Sequence, residues 1–166
     1  MKVNIALLTV TDTRTIDNDK SGAILVKKIE EANHNLIDRK ICKDNKDDIL
    51  VILKNWLQNN QIDVIITTGG TGLTGRDITP EALDVVADKH IPGFGEIFRY
   101  LSLKTVGTSS IQSRACAVLA KGKYIFALPG SSGGVTDAWE GILKHQLDIN
   151  HKPCNFVELF PRLKEK

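Results

Sequence analysis

Residues 67–82 read TTGGTGLTGRDITPEA, a stretch that concentrates the residue types able to bind phosphate. Glycine lets backbone N–H groups approach an anion with no Cβ in the way, and it permits the positive φ that turns successive amides inward. Threonine hydroxyls add further donors. Gly69, Gly70, Thr71, Gly72 and Thr74 therefore make a candidate phosphate cradle; a tight glycine-rich turn is the alternative. Asp77 lies between this cradle and a helix start. A carboxylate beside a phosphate is unfavourable unless a cation stands between them, and Mg2+ takes one or two carboxylates together with phosphate oxygens. The arrangement predicts a metal–nucleotide site, against the alternative that Asp77 only caps the helix. Asp44 follows a predicted second strand and can reach the same edge, although KDNKDD around it also reads as a solvated helix entry.

Other loops carry similar chemistry. Asp12 and Thr13 follow the first apolar run, and Ser21-Gly22 opens a helix whose first amides can bind an anion. PGSSGG at 129–134 offers a second nest of amides. Arg14, Arg76 and Arg114 lie near these motifs as candidate phosphate clamps, with an ordinary surface role expected for at least one. Two familiar loop types are excluded. A P-loop needs Lys followed by Ser or Thr, and none stands here. Gly70, Gly72 and Gly75 match G-x-G-x-x-G, but the helix signal begins only at Thr79, and no strand-end acid follows about 20 residues on. His34, His90, His145 and His151 are scattered, and Cys42, Cys116 and Cys154 form no C-x-x-C pair. Neither a zinc site nor a disulfide framework is expected, and a reducing compartment is. No Ser-His-Asp or Cys-His pairing is evident, so no covalent intermediate is suggested.

The elements that must position these residues follow from hydrophobic periodicity. Ile5–Val10, Leu36–Cys42, Ile62–Thr68 and Tyr124–Leu128 read as strands, the last two without polar alternation, as in a parallel sheet covered on both faces. Ile24, Leu25, Ile29 and Ala32 mark one helical face, and Ile49, Ile52, Leu53, Trp56 and Leu57 another. Thr79-Pro80-Glu81 reads as N-cap, first-turn proline and dipole-complementing acid. Gly93–Ser113 is expected to hold helices and at most one short strand, with Ile111–Leu119 helical and Thr136–Leu147 a further helix. Alternating strands and helices give an α/β fold, a three-layer α/β/α sandwich with a mostly parallel central sheet. Loops 11–22, 68–79 and 129–135 all leave the C-terminal ends of strands, the edge where open α/β sheets bind ligands.

Bulk properties are consistent with this. The 166 residues suit one domain spanning 1–166, and 42% apolar with 25% charged residues is the globular norm. Twenty-two basic against 20 acidic side chains leave a net charge of +2, which supports neither a nucleic-acid nor a membrane partner. The apolar run IALLTV is too short for a signal peptide or a span, so a cytoplasmic protein is expected.

Taken in order, TVTDTR at 9–14, DKSG at 19–22, TTGGTGLTGRDITPEA at 67–82, IPGFGEIFR at 91–99, SSIQSRA at 109–115 and LPGSSGG at 128–134 resemble the MogA/MoaB family of molybdenum-cofactor biosynthesis proteins, to which the gephyrin G domain is related. GFGEIFR and SIQSRA look more like the MoaB branch. The resemblance implies an α/β/α fold with one antiparallel strand. It also implies adenylyl transfer from Mg-ATP to the terminal phosphate of molybdopterin, with release of pyrophosphate. By the same resemblance, Thr68, Gly69, Gly70, Thr71 and Gly72 contact the pterin phosphate, and Asp77 and Asp44 serve catalysis and the metal. Asp12, Thr13, Ser21 and Gly22 line the nucleotide side, and Pro129, Gly130 and Ser131 the pterin side. Ser132 departs from the proline that many relatives carry after P-G-S or P-G-N. A trimer or hexamer is implied, with other proteins of the pathway as further partners. A molybdopterin- or nucleotide-binding protein without catalysis is the alternative reading. Metal insertion, the other rival, is associated with much longer multidomain chains.

Overall fold

The computed structural model describes residues 1–165. Its frame is a six-stranded sheet in the order β2-β1-β3-β6-β5-β4. These strands are β1 (Asn4–Val10), β2 (Asn35–Cys42), β3 (Val64–Thr68), β4 (Lys89–His90), β5 (Cys116–Ala120) and β6 (Lys123–Leu128). β2, β1, β3 and β6 pair in parallel, while β5 runs antiparallel to both its neighbours. The sheet is thus mostly parallel with one reversed strand, as expected.

Each inner strand sends alternate residues to opposite helix layers, which explains its unbroken apolar run. Ile5, Leu7, Ile66 and Phe126 pack with Leu25 and Ile29 of α1 (Lys20–Glu31), Phe94 and Phe98 of α4 (Pro92–Val106), and Val135 of α5 (Ser132–Ala138). Ala6, Leu8, Ile65 and Ile125 pack on the other side with Leu53 and Trp56 of α2 (Lys46–Gln58) and Leu83 of α3 (Thr79–Val86). The chain of α5 continues through a π-helical turn, Trp139–Leu143, and one last turn, Lys144–Gln146. Helix starts are chemically marked: Asp19, Asn45 and Ser131 each accept a first-turn amide. Ser132 is the first residue of α5, a position that accepts proline and serine alike, so this departure leaves the helix start intact.

Two local expectations are corrected. Ile111–Leu119 is not helical: a 3-10 segment, Gly107–Gln112, ends there and Cys116–Ala120 forms β5. CAVLA is buried along almost its whole length, so it shows no alternation to separate strand from helix. The signal that decides it is the turn: Lys121 (φ 49°) and Gly122 (φ 72°) form a two-residue connection with both residues at positive φ, the geometry that closes a hairpin to β6. At α3 the N-cap is Ile78 and no side chain caps it. The Thr79 hydroxyl instead donates to the Gly69 carbonyl at 2.9 Å, tying helix to glycine loop.

Candidate functional site

β1, β3 and β6 are neighbours, so the three loops leaving their C-terminal ends do converge. They enclose a cleft of about 500 Å³. Asp12, Thr13 and Arg14 come to it from the β1 loop, and Ser21 from the start of α1. Thr68, Gly69, Gly70, Thr71, Gly72 and Asp77 come from the β3 loop. Pro129, Gly130 and Ser131 come from the β6 loop, and Asp44 from the end of β2. Gly22 is the exception. It stands behind the wall, where its amide donates to Asp19 at 2.9 Å and any Cβ would strike the Asp19 carboxylate.

The glycine loop is pinned at both ends. Gly69 N–H donates to Leu128 O at 3.0 Å, Thr79 N–H to Gly70 O at 3.0 Å, and the Thr68 hydroxyl to Pro129 O at 2.7 Å. Gly69 and Gly70 have φ of 103° and 66°. A Cβ on Gly69 would overlap the Val10 carbonyl, and one on Gly70 would press on Thr79 and on Asp44 Oδ1. Both positions therefore require glycine for backbone conformation and for close approach.

Three carboxylates face this loop in unlike settings. Burial disfavours the charge of Asp77, but hydrogen bonds from the Thr74 hydroxyl (2.7 Å) and amide (2.8 Å), with the Gly72 amide, outweigh it and hold its pKa below the ordinary value. Asp77 thus caps its own loop and not the helix. Asp44 is pushed the other way, by burial first and then by the charges of Asp77 and Asp12. Its Oδ1 is buried without a hydrogen-bond partner among the described residues. Asp12 is held low chiefly by Arg76, whose guanidinium meets it in a two-pronged pair at 2.8–3.0 Å.

The arginines divide by role. Arg76 is engaged with Asp12, and Arg14 stands on the cleft wall with Nη1 3.3 Å from Asn18 O. Arg114 is a strut behind the loop: it donates to Gly72 O at 2.7 Å and Asp77 O at 2.8 Å and pairs with Glu81.

The cleft also contains residues that sequence reasoning did not assign. Gln112 and Ser113 reach it from the 3-10 segment, inside the SSIQSRA motif, which was the available signal. Asp19 is buried at the wall of the cleft, accepting from Thr9 Oγ1 at 2.6 Å and Arg39 Nη2 at 3.1 Å. Only its place in DKSG pointed to it.

No group of three metal-ligating side chains forms a preformed cage among the described residues. A site completed by phosphate oxygens needs fewer protein ligands, and the unpartnered Oδ1 of Asp44 is the kind of oxygen a divalent cation would satisfy. The residues fit Mg2+ brought with a nucleotide.

Residues 6–149 match the family model described as "probable molybdopterin binding domain". The chain is 44% identical over 161 residues to molybdenum cofactor biosynthesis protein B of Escherichia coli K12, covering 97% of this chain and 93% of that one. It superposes on a crystal structure of a molybdenum cofactor biosynthesis protein B with a TM-score of 0.89 and 35% identity, covering 100% and 98% of the two chains. The tungsten cofactor synthesizing protein MoaB of Pyrococcus furiosus superposes with a TM-score of 0.78 at 33% identity, covering 87% and 92%.

Proposed function

The chain belongs to the MogA/MoaB family of molybdenum-cofactor biosynthesis proteins, and we propose that it is a molybdopterin adenylyltransferase. In this reaction an oxygen of the terminal phosphate of molybdopterin attacks the α-phosphorus of ATP. The bond from that phosphorus to the α–β bridging oxygen breaks, and pyrophosphate leaves with the electron pair. Both reacting groups are anionic, so catalysis consists of bringing them together and compensating their charge.

The observation that carries the reading is the glycine loop Gly69–Gly72 facing the unpartnered oxygen of Asp44, with Asp77 beside it. The loop amides orient the molybdopterin phosphate. Asp44 and Asp77 are the residues that would hold Mg2+, which would supply charge neutralisation at the nucleotide phosphates. Asp12, Thr13 and Ser21 line the nucleotide side, where the Ser21 hydroxyl donates to Gly130 O at 2.7 Å and so fixes one wall against the other. Arg114 keeps Asp77 in place through the backbone carbonyls on either side of the loop.

The test is an adenylylation assay on the purified protein with molybdopterin, ATP and Mg2+. Adenylylated molybdopterin and pyrophosphate should form in equal amounts. Binding of both substrates with no pyrophosphate released would identify a carrier of the pathway and not its enzyme.

A further inference from the structure

Away from the cleft, the fold brings together two imidazoles that the sequence separates. His145 stands in the last helical turn, Lys144–Gln146, and His151 in the loop that follows it. Six residues apart, they match no ligand spacing, which is why they read as scattered. Their rings lie 5.3 Å apart between centroids, at an interplanar angle of 42°. Both line a pocket of about 380 Å³ whose other walls are mostly apolar, Phe94, Ile142 and Phe156 among them. This pocket shares no residue with the cleft. The backbone that carries the two rings is braced. Asn155, 2% exposed, donates from Nδ2 to His151 O at 3.0 Å and to Ile149 O at 3.2 Å. Asp148 N–H donates to His145 O at 3.2 Å, His151 N–H to Asp148 O at 3.1 Å, and Phe156 N–H to Gln146 O at 3.0 Å. Neither imidazole is hydrogen-bonded among the described residues, so the ring nitrogens are uncommitted while the chain beneath them is fixed.

We propose that His145 and His151 chelate a Zn2+-type divalent ion of the late first transition row. At a tetrahedral ion with metal–nitrogen bonds of about 2.0–2.1 Å, two imidazole centres stand about 3.2 Å from the metal and about 5.2 Å from each other. The observed separation of 5.3 Å matches that arrangement with no movement of the chain. Imidazole pairs select zinc, copper and nickel, whereas Mg2+ takes oxygen ligands, so this ion is distinct from one held by Asp44 and Asp77. No third metal-ligating side chain joins the pair among the described residues, and water fills the remaining positions. With half the ligands of a structural zinc site, the expected dissociation constant is on the order of 10 μM. The bound ion staples the helix end to the loop leading into Phe156, whose ring packs on Tyr124 with centroids 4.7 Å apart. It therefore stabilises the C-terminal segment against the core.

The experiment titrates Zn2+ into the whole protein by calorimetry, with millimolar Mg2+ present to occupy the carboxylates of the cleft. One ion should bind per chain, and the thermal midpoint should rise with Zn2+. His145→Ala and His151→Ala should each weaken binding by about tenfold or more and abolish the rise. His145 is exposed, so its removal leaves the fold intact. Cys154→Ser should bind within about twofold of the wild type, because the exposed thiol is not a ligand. Co2+ in place of Zn2+ should give the visible absorption of a tetrahedral ion in the wild type and lose it in either histidine variant. Absence of Zn2+ binding tighter than about 1 mM overturns the proposal, as does binding that survives both histidine variants. Binding lost in Cys154→Ser would move the site to the thiol and overturns it too. Metal binding is read without turnover, so neither outcome depends on whether the protein adenylylates molybdopterin.

Discussion

Asp44 and Asp77 face the same cleft with pKa values displaced in opposite directions, and each direction yields a prediction. Asp77 is held below its usual 3.8 by hydrogen bonds that outweigh burial, so its contribution to stability is present above that value and is lost as pH falls through the depressed pKa. Asn at this position can still accept from Thr74 but carries no charge. Asp77→Asn should therefore reduce adenylyl transfer by about a hundredfold or more while circular dichroism stays as in the wild type and the thermal midpoint at neutral pH falls only slightly, by the charge-dependent contribution of this carboxylate. Wild-type turnover in this variant would end its catalytic assignment. Asp44 is the reverse case: burial and two neighbouring carboxylates raise its pKa, so the fold favours its protonated form. That contribution is complete below 3.8 and is lost as pH rises through the raised pKa, leaving a penalty at neutral pH. Asp44→Asn should thus melt higher than wild type at pH 7.5 without ligand, with the difference shrinking as pH approaches 4. The same variant should lose the stabilisation that Mg-ATP gives the wild type. A neutral-pH midpoint lower than wild type would show that the charge is satisfied by the fold itself and needs no cation.

At the scale of elements, the loop from β3 to α3 separates glycines needed by the fold from one needed by the site. Gly69 combines φ of 103° with a Cβ position that overlaps the Val10 backbone carbonyl, which cannot move out of the way. Gly69→Ala should cost about 3 kcal/mol or prevent folding. Gly72 lies outside the positive-φ set, and a Cβ there would stand 2.7 Å from Asp77 Oδ2, the mobile end of a side chain. Gly72→Ala should cost about 1 kcal/mol or less by urea denaturation, yet lower turnover by about tenfold because it displaces the Asp77 carboxylate. Full activity in Gly72→Ala would show that Asp77 tolerates a shift and does not act at a fixed distance. The same loop shows how far the sequence could be read. Its glycines and its acid, set directly after an apolar strand, mark a loop at the ligand-binding edge of the sheet, and that loop does line the cleft. The neighbour order β1-β3-β6, which makes the three loops one cleft, was not legible, since strand order depends on contacts between distant segments. β5 reads as helix because a strand buried on both faces loses its alternation, and the Lys121-Gly122 turn after it is the local signal for a hairpin. Arg114 read as a clamp because its partners, two backbone carbonyls in the loop, carry no side-chain signature.

On the whole-molecule scale, α4 leaves apolar surface with no cover in a single chain. Its inward residues Phe94 and Phe98 enter the core, which accounts for part of the apolar content of this segment. Ile97, Tyr100, Leu103 and Val106 are each about half exposed or more, and Ile111 follows on the 3-10 segment at 80% exposed. Each spacing of three residues steps about 60° back around the helix, so Ile97, Tyr100 and Leu103 lie within about a third of its circumference and form a connected exposed patch, while Val106 falls on the side opposite Ile97. A net charge of +2 opposes self-association only weakly. A patch of this kind can be covered by a neighbouring copy in a head-to-tail contact, and when that contact closes into a ring it does so without open-ended growth. We predict a trimer, or a hexamer of two trimers, assembled through α4. Sedimentation equilibrium at micromolar concentration should give a mass near three or six subunits, and the double substitution Tyr100→Asp with Leu103→Asp should shift it toward one. These side chains are solvent-exposed in the isolated chain, so charging them should leave the circular dichroism spectrum unchanged, which separates dissociation from unfolding. An 18.3 kDa species for the wild-type protein would refute the ring. A ring that survives the double substitution would place the interface on another face.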